Sequence, residues 1–300
     1  IRVLCIDGDL PGSTRQDPIG GYYLVRALRL RHAIGEDAPV KVTHIDPSDL
    51  FRENLTEYEV VVLVDVPAIS EDLGKRLAQF TESGGGLMVL LGDQVDAGQY
   101  NENLVGDGGP VLPARLTEVA KHDNPGEGWQ IAPVKSTHPL AQVVTSLPRD
   151  LTATARFHTA VRAVPLPGCE TILALDDGLP LLMTHQDPLK GRVMLFTSSA
   201  DRSWNNLPLH PLFTILLQQS ATMLSNDPQL GQGLVGEPAV MDLPGRMVGD
   251  DVAVTDPSGV ELPVKATLVD GAPAAVITPD AVGIYRVAAE AGHRAAAVSA

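Results

Sequence analysis

The fold class of this 300-residue chain follows from one stretch of its sequence, Gly86-Leu87-Met88-Val89-Leu90-Leu91-Gly92-Asp93-Gln94-Val95. Residues 87–91 are all apolar, which is enough for one strand, and the lack of polar alternation indicates that both of its faces are buried. Gly92 and Asp93 then begin a turn, since both residue types favour turn conformations. Strands buried on both faces are typical of parallel sheets covered by helices, so the stretch predicts an α/β domain.

The residues before this stretch repeat the alternation of strand and helix. Apolar runs predict three earlier strands, at 2–6, 40–45 and 59–64. Residues 22–33 carry apolar side chains at helical spacing, and Ser70 is placed to cap a second helix. Strands that alternate with helices in this way predict a parallel sheet that is wound by crossover helices.

Residues 96–190 are less regular, and a strand and a helix follow them. Asp176-Asp177-Gly178 indicates a hairpin turn. Three short runs in this segment predict strands: 153–157, 171–175 and 181–184. Beyond them, residues 191–198 predict another core strand, and residues 209–224 predict an amphipathic helix.

The pattern changes to β after residues 229–234, which form a linker of glycine, polar residues and two leucines. Four strand-sized runs are separated by turn residues: 252–255, 264–269, 274–277 and 283–288. We therefore predict two domains, an α/β domain at 1–228 and a small immunoglobulin-like β-sandwich at 235–300.

Composition excludes some classes of partner. A hydrophobic content of 44% with 20% charged residues is typical of a globular protein. The formal net charge of −15 argues against nucleic acid as a partner, because phosphate groups would be repelled. The chain begins at Ile1, within a strand and without a Met, so we expect a segment excised from a longer protein.

Several acidic side chains directly follow the predicted parallel strands. Asp7 and Asp9 follow the first strand, Asp65 follows the third, and Asp93 follows the fourth. These side chains should meet at the carboxyl edge of the sheet, where open α/β sheets bind ligands. Carboxylates that gather repel each other unless a cation or a proton lies between them. One expectation is therefore a Mg²⁺ or Ca²⁺ site, and the other is that each Asp caps a turn or a helix.

A second polar group follows the strand predicted at 191–198. Ser198 and Asp201 lie there, close in sequence to Trp204. They either line the cleft beside Asp93 or form a structural loop that packs Trp204. The histidines show no pair at H-x-x-x-H spacing on a helix, so the sequence does not predict a zinc site.

With these motifs in place, residues 1–228 resemble class I glutamine amidotransferase-like domains, which form a flavodoxin-like, three-layer α/β sandwich. More closely, the chain resembles the extramembrane segment of bacterial membrane proteins that carry an aerotolerance-regulator (Bat-type) domain and a von Willebrand A domain. Short motifs carry the resemblance: Asp65, 84–86 (GGG), 91–96 (LGDQVD), Tyr100-Asn101, 191–197 (GRVMLFT), Asp201, Trp204, 207–209 (LPL), Phe213 and 283–285 (GIY).

The chain departs from active amidotransferases at the nucleophile. Those enzymes place a cysteine in a G-x-C-x-G turn, where a downstream histidine and an acidic residue activate the thiolate. Here that turn contains Asp93, and His210 is followed by Pro211 rather than by the usual His-x-Glu pattern. Cys5 lies within a predicted strand and Cys169 in a predicted loop, so neither replaces the nucleophile. The sequence therefore does not predict glutamine hydrolysis.

The resemblance implies a non-catalytic interaction or ligand-sensing segment on the extracytoplasmic, periplasmic side of a bacterial membrane. It implies a membrane-anchored parent chain and a protein partner, and we predict no cofactor beyond the Mg²⁺ or Ca²⁺ considered above. The first alternative is a metal-dependent hydrolase that uses the carboxylates at the edge of the parallel sheet. The second is carbohydrate binding by the β domain, which is disfavoured because Tyr285 is its sole aromatic residue.

Overall fold

A computed structural model describes most of the chain. The described residues are 1–8, 20–29, 40–105, 111–124, 127–133, 135–186, 192–225, 233–234, 236, 238–243, 248–256, 260–269, 272–280, 283–289 and 292–299. Contacts divide the chain into two units. The larger unit consists of Ile1–Thr81, Gly85–Gln186 and Arg192–Ser225, and the second consists mainly of Asn226–Ala300. Most of the predicted linker, 229–234, lies outside the described residues, so its bounds stay a prediction.

The larger unit is built from strands and helices in alternation. Its elements are β1 (Arg2–Asp7), α1 (Gly20–Arg29), β2 (Lys41–Ile45), β3 (Val60–Val64), α2 (Glu71–Glu82), β4 (Gly86–Leu90), α3 (Ala97–Leu104), β5 (Ala114–Lys121), α4 (Pro139–Ser146), α5 (Arg149–Ala153), β6 (Thr159–Pro165), β7 (Cys169–Ala174), β8 (Pro180–Gln186), β9 (Arg192–Phe196) and α6 (Pro211–Leu224). Short 3₁₀ helices occupy Pro47–Arg52, Leu55–Glu57 and Leu207–Leu209.

One sheet organises this unit, with the strand order β2-β1-β3-β4-β9-β8-β7. The first five strands in that order are parallel, and β8 and β7 continue the sheet as an antiparallel pair. The predictions of an α/β fold and of four parallel strands up to Leu91 are therefore confirmed. Each predicted strand boundary lies within one residue of the observed one for these four strands.

The central strands are buried on both faces, and their side chains alternate between two separate cores. In β3, for example, Val62 joins the core that contains α1 and α6, whereas Leu63 joins the core that contains α2 and α3. The same alternation separates Met88 from Val89 in β4. Helices therefore cover both faces of the sheet, which explains the uninterrupted apolar runs in the sequence.

The prediction of a strand at 153–157 is wrong. Ala153 ends α5, and the strand β6 begins at Thr159. Phe157 instead makes isolated bridges to Trp129 and to Asn205. Its β propensity is thus satisfied by tertiary pairing rather than by a continuous strand. The partner of β6 is β5, which the sequence did not predict, and the two form a separate two-stranded sheet.

The second unit is all β within the described residues. It contains β10 (Gly233–Leu234), β11 (Ala239–Asp242), β12 (Asp251–Thr255), β13 (Glu261–Lys265), β14 (Thr267–Val269), β15 (Ala272–Ile277), β16 (Gly283–Ala289) and β17 (Gly292–Ser299). These form two sheets, β10-β17-β16-β12-β13 and β11-β15-β14. The prediction of a single strand at 264–269 is wrong, because the buried Ala266 separates β13 in one sheet from β14 in the other.

A substitution at Gly86 tests the packing of α6 against the sheet. A Cβ at this position would lie 2.2 Å from the Leu224 carbonyl oxygen, so Gly86→Ala should lower the free energy of unfolding by about 1–3 kcal/mol. Urea unfolding monitored by tryptophan fluorescence measures this, since Trp129 and Trp204 are both buried in the larger unit. The control is Gly98→Ala in α3, where the new Cβ meets only the Asp96 carboxylate, at 3.1 Å. Equal loss of stability in both variants would contradict the packing argument.

Candidate functional site

The candidate site lies at the carboxyl edge of the sheet, where the parallel strands β1, β3, β4 and β9 end side by side. Asp7 is the last residue of β1, Asp65 follows β3, Asp93 follows β4, and Ser198 follows β9. Asp9 lies outside the described residues. The order of connection reverses between β1 and β3, because β2 lies on the other side of β1. Open α/β sheets bind ligands at such a reversal.

Asp65 has an unusual backbone conformation. Its φ is 45°, in the left-handed region, and it is the one such non-glycine residue in the described part of the chain. Hydrogen bonds hold the backbone on both sides of this turn: Asp65 N donates to the Leu90 carbonyl at 3.0 Å, and Gly8 N donates to the Val64 carbonyl at 2.9 Å. A non-glycine residue in this region costs about 1–3 kcal/mol and persists only where its surroundings hold it.

The Asp65 carboxyl connects the ends of three strands. The Gln94 backbone N donates to Asp65 Oδ1 at 3.0 Å, and Gln94 Nε2 donates to the Gly8 carbonyl at 3.3 Å. The carboxyl of Asp65 also lies close to that of Asp93, whose negative charge acts on it. Because neighbouring like charges disfavour ionisation, this contact favours the protonated form of Asp65.

The electrostatic environment of Asp65 supports this assignment. Burial, together with the charge and hydrogen bond of Asp93, raises the pKa of Asp65 from 3.8 to about 7, against the opposing hydrogen bonds from Gln94. Tyr100 lies nearby, and its hydroxyl donates to the Val66 carbonyl at 2.8 Å. Burial and the charge of Asp65 raise the pKa of Tyr100, so this phenol remains a neutral donor.

Two glycines make the close approach of these turns possible. A Cβ at Gly92 would lie 2.3 Å from the Asp65 carboxyl, and a Cβ at Gly8 would lie 2.0 Å from the Asp65 carbonyl oxygen. Both distances are below any real contact, so a larger residue at either position would displace Asp65. The glycine in the turn after β4 therefore serves the carboxyl pair in this chain.

The sequence predicts Asp7 beside the other carboxylates or as a cap, whereas the structure places it beside His44. Its Oδ2 lies 2.9 Å from His44 Nε2, and the two side chains are 3% and 24% exposed. The start of α1 packs against this pair, because a Cβ at Gly21 would lie 1.9 Å from Asp7 Oδ2. The structure thus pairs Asp7 with a histidine on β2. Sequence reasoning missed His44, since its strand gave no signal beyond a polar residue in an alternating run.

Ser198 and Asp201 belong to a loop that is bonded within itself. Ser198 Oγ donates to the Thr159 carbonyl at 2.8 Å and accepts from Asn205 Nδ2 at 3.1 Å. Asp201 accepts from the Ser203 backbone N at 2.9 Å. Ser198 is fully buried and Asp201 is 8% exposed. These contacts match the structural-loop interpretation of the two side chains more closely than the cleft interpretation.

Neither cysteine is placed or poised as a nucleophile. Cys5 is fully buried in β1, where burial and the charge of Asp7 raise the pKa of its thiol well above the ordinary value. Cys169 was predicted in a loop, which is wrong, because it is the first residue of β7. Burial raises the pKa of the Cys169 thiol as well. Both side chains are therefore thiols rather than thiolates at neutral pH.

The side chains at this edge offer hydrogen-bond acceptors and one exchangeable proton. The described residues contain no group of three or more His, Cys, Asp and Glu side chains that could hold a metal ion. The carboxyl oxygens of Asp65 and Asp93 can instead accept hydrogen bonds from donor groups, and Asp65, whose pKa is raised to about 7, supplies the exchangeable proton.

Comparisons with known proteins bear on the fold. No protein-family model and no curated protein matches this chain. A cytoplasmic protein of Salmonella typhimurium LT2 covers 75% of this chain and 99% of its own length, with 15% identity and a TM-score of 0.57. A second cytoplasmic protein of Salmonella typhimurium has the same coverage, with 17% identity and a TM-score of 0.55. A β-galactosidase of Rahnella sp. R3 covers 92% of this chain and 40% of its own length, with 16% identity and a TM-score of 0.47.

The prediction of a periplasmic segment of a membrane protein is wrong, because the two Salmonella proteins that share the fold are named as cytoplasmic proteins. Within the described residues, no helix combines the length and the apolar composition that crossing a bilayer requires. The prediction depended on short motifs at strand ends, such as Gly92-Asp93. The geometry of the turns accounts for these motifs, and turn geometry carries no information about cellular compartment.

The raised pKa of Asp65 predicts how pH changes stability. The folded-state pKa of Asp65, about 7, lies above the ordinary value of 3.8, so the folded chain retains a proton that the unfolded chain releases. The contribution of Asp65 to stability is therefore complete below about pH 4 and is lost as the pH rises to about 7. Asp65→Asn removes this dependence. The free energy of unfolding of the variant, measured relative to that of the native chain, should therefore be about 1–3 kcal/mol higher at about pH 8 than at about pH 5.

Urea unfolding monitored by tryptophan fluorescence at both pH values measures this difference. Glu118→Gln is the matched control, because it removes a carboxyl that is 76% exposed on β5, and its pH dependence should follow that of the native chain. The same pH dependence in Asp65→Asn and in the native chain would contradict the raised pKa of Asp65.

Proposed function

We propose that the chain is a non-catalytic interaction or ligand-sensing protein that binds at the carboxyl edge of its parallel sheet. In this proposal residues 1–228 form a flavodoxin-like domain of the class I glutamine amidotransferase-like type, and residues 235–300 form an immunoglobulin-like domain. The strand order β2-β1-β3-β4 is that of flavodoxin-like sheets and supports the first assignment. The common apolar core of the two sheets in the second unit, which includes Met241 and Val254, supports the other.

The observation that carries the proposal is the state of the turn after β4. Active amidotransferases need an activated cysteine in this turn. Here Asp93 occupies it. The two cysteines lie elsewhere in the sheet, and burial raises the pKa of both thiols. The turn after β4 thus lacks the cysteine that active members of the proposed domain type need.

The chemistry of the edge indicates the class of ligand. The Asp65–Asp93 pair presents oxygen acceptors and lies beside the Gly8 carbonyl, while the Asp7–His44 pair lies at the end of β1. The net charge of −15 also disfavours an anionic ligand. The edge therefore suits a ligand with hydrogen-bond donors, such as a protein segment that presents a lysine or glutamine side chain.

A metal-dependent hydrolase is the second candidate. The observation that favours it is the contact between the Asp65 and Asp93 carboxyls, because such a pair can exchange its proton for a divalent ion. The pairing of Asp7 with His44 at 2.9 Å counts against it, since this carboxyl is then engaged elsewhere.

Turnover assays test the non-catalytic assignment. We expect the native chain to release no ammonia from glutamine and to hydrolyse no p-nitrophenyl acetate beyond the protein-free control, because the nucleophile is missing. Turnover in the native chain that disappears in Asp93→Ala would contradict the proposal.

Thermal melts with Mg²⁺, Ca²⁺ and Mn²⁺ address the second candidate. An ion at about 100 times its dissociation constant should add about 2.7 kcal/mol to stability, and a gain that is lost in Asp93→Asn would favour the hydrolase.

Binding is tested with a short peptide that carries lysine and glutamine side chains. We expect saturable binding by the native chain and weaker binding by Asp93→Asn, because the variant loses an acceptor charge at the edge. Glu261→Gln is the matched control, since it removes one negative charge from β13 in the second unit and should leave affinity unchanged. Equal loss of affinity in both variants would show attraction by net charge alone and would contradict a site at this edge.

A further inference from the structure

The side chain of Gln94 lies across the strand ends at the carboxyl edge. Gln94 is an exposed residue in the turn after β4. Its side-chain nitrogen, Nε2, lies 3.3 Å from the Gly8 carbonyl oxygen and 3.5 Å from Asp65 Oδ2. Gly8 follows β1 and Asp65 follows β3. One NH₂ group of the protein therefore donates to a backbone carbonyl and to a carboxyl at two neighbouring strand ends. We call this side chain the Gln94 strap.

The hydrogen bonds of the strap are weaker than the bond that holds the turn below it. Ordinary N–H···O distances are about 2.7–3.2 Å, and both distances from Gln94 Nε2 are longer. The Gln94 backbone N, in contrast, donates to Asp65 Oδ1 at 3.0 Å. The backbone bond does not depend on the side chain at position 94. The strap can therefore move away at little cost, because its exposed amide regains hydrogen bonds to water.

The acceptors under the strap suit a primary ammonium group better than they suit the strap itself. The carboxamide of Gln94 is neutral and has two N–H donors. The carboxyl of Asp93 lies close to that of Asp65, and its negative charge acts there. An ammonium group has three N–H donors and a positive charge, and its hydrogen bonds to carboxylates are stronger than those of an amide. A free carboxamide, in contrast, only repeats the bonds that the strap already makes.

We propose that the Gln94 strap is an autoinhibitory contact, and that the acceptors it covers bind the ammonium group of a lysine side chain. This inference rests on the proposed function, because it assumes that ligands bind at the carboxyl edge. It assigns the Gly8 carbonyl oxygen and Asp65 Oδ2 as the atoms that receive the ligand. The strap competes with every donor ligand for these atoms, so it lowers the affinity for each of them by the same factor.

The test compares the affinities of two probes, Nα-acetyl-lysine methylamide and Nα-acetyl-glutamine methylamide, by NMR titration. Gln94→Met keeps the length of the side chain but cannot donate, and Gln94→Ala removes the strap. We expect both variants to bind each probe about two- to tenfold more tightly than the native chain, because the bonds of the strap contribute little net free energy. In the native chain, the side-chain amide signals of Gln94 should move toward those of a free carboxamide as the lysine probe saturates.

The matched control is Gln99→Met. Gln99 is also exposed, but its Nε2 donates to Asp96 Oδ2 at 3.4 Å, away from the acceptors under the strap. This variant should bind both probes as the native chain does. A gain in affinity equal to that of Gln94→Met would show a general effect of losing a surface amide and would overturn the proposal.

Failure of the strap and failure of the proposed function give different results. Unchanged or weaker binding in both Gln94 variants would overturn autoinhibition while leaving binding at the edge intact. Gains that differ between the two probes would also overturn it, since a competitor affects both equally. Tighter binding of the glutamine probe than of the lysine probe by the native chain would overturn the ammonium assignment. Absence of saturable binding in the native chain and in both variants would contradict the proposed function itself.

Discussion

Burial of the central strands on both faces is the constraint on which the rest of this structure depends. Each of β1, β3, β4 and β9 sends alternate side chains into two cores, one against α1 and α6 and the other against α2 and α3. An unpaired polar side chain in the middle of such a strand would be desolvated in either core, so these strands are apolar between their ends. Polar groups can enter the sheet only where the strands end, and the carboxyl edge becomes the place for chemistry.

Close packing at this edge determines which partner each buried acidic side chain has. Asp7 and Asp65 are both buried, at 2% and 7% exposure, and each needs a partner. Asp7 finds His44, whereas Asp65 finds Asp93 and the hydrogen bonds of Gln94. Glycines at 8, 21 and 92 leave the space for these contacts. The edge is thus built around acidic side chains that each lie against a polar partner.

Much of the α/β unit could be predicted because local pattern and tertiary environment agree there. The apolar runs around Val62 and Val89 predict buried strands, and the structure has buried strands there, because helices cover both faces of the sheet. Prediction failed at Phe157 and Ala266, where the chain makes an isolated bridge or changes sheet. Both outcomes depend on partners that are distant in sequence, and short-range periodicity does not report them.

The same distinction between local pattern and distant partners applies to the candidate site. The amino-acid sequence alone specifies which residue types follow each strand, including Asp65 and Asp93, and specifies that no cysteine occupies the turn after β4. The folded structure is needed to show that Asp65 is buried close to Asp93 and that Asp7 pairs with His44. The physical reason is that strand and turn preferences act over a few residues. The partner of a buried polar group, in contrast, is fixed by the register and packing of elements far apart in the chain.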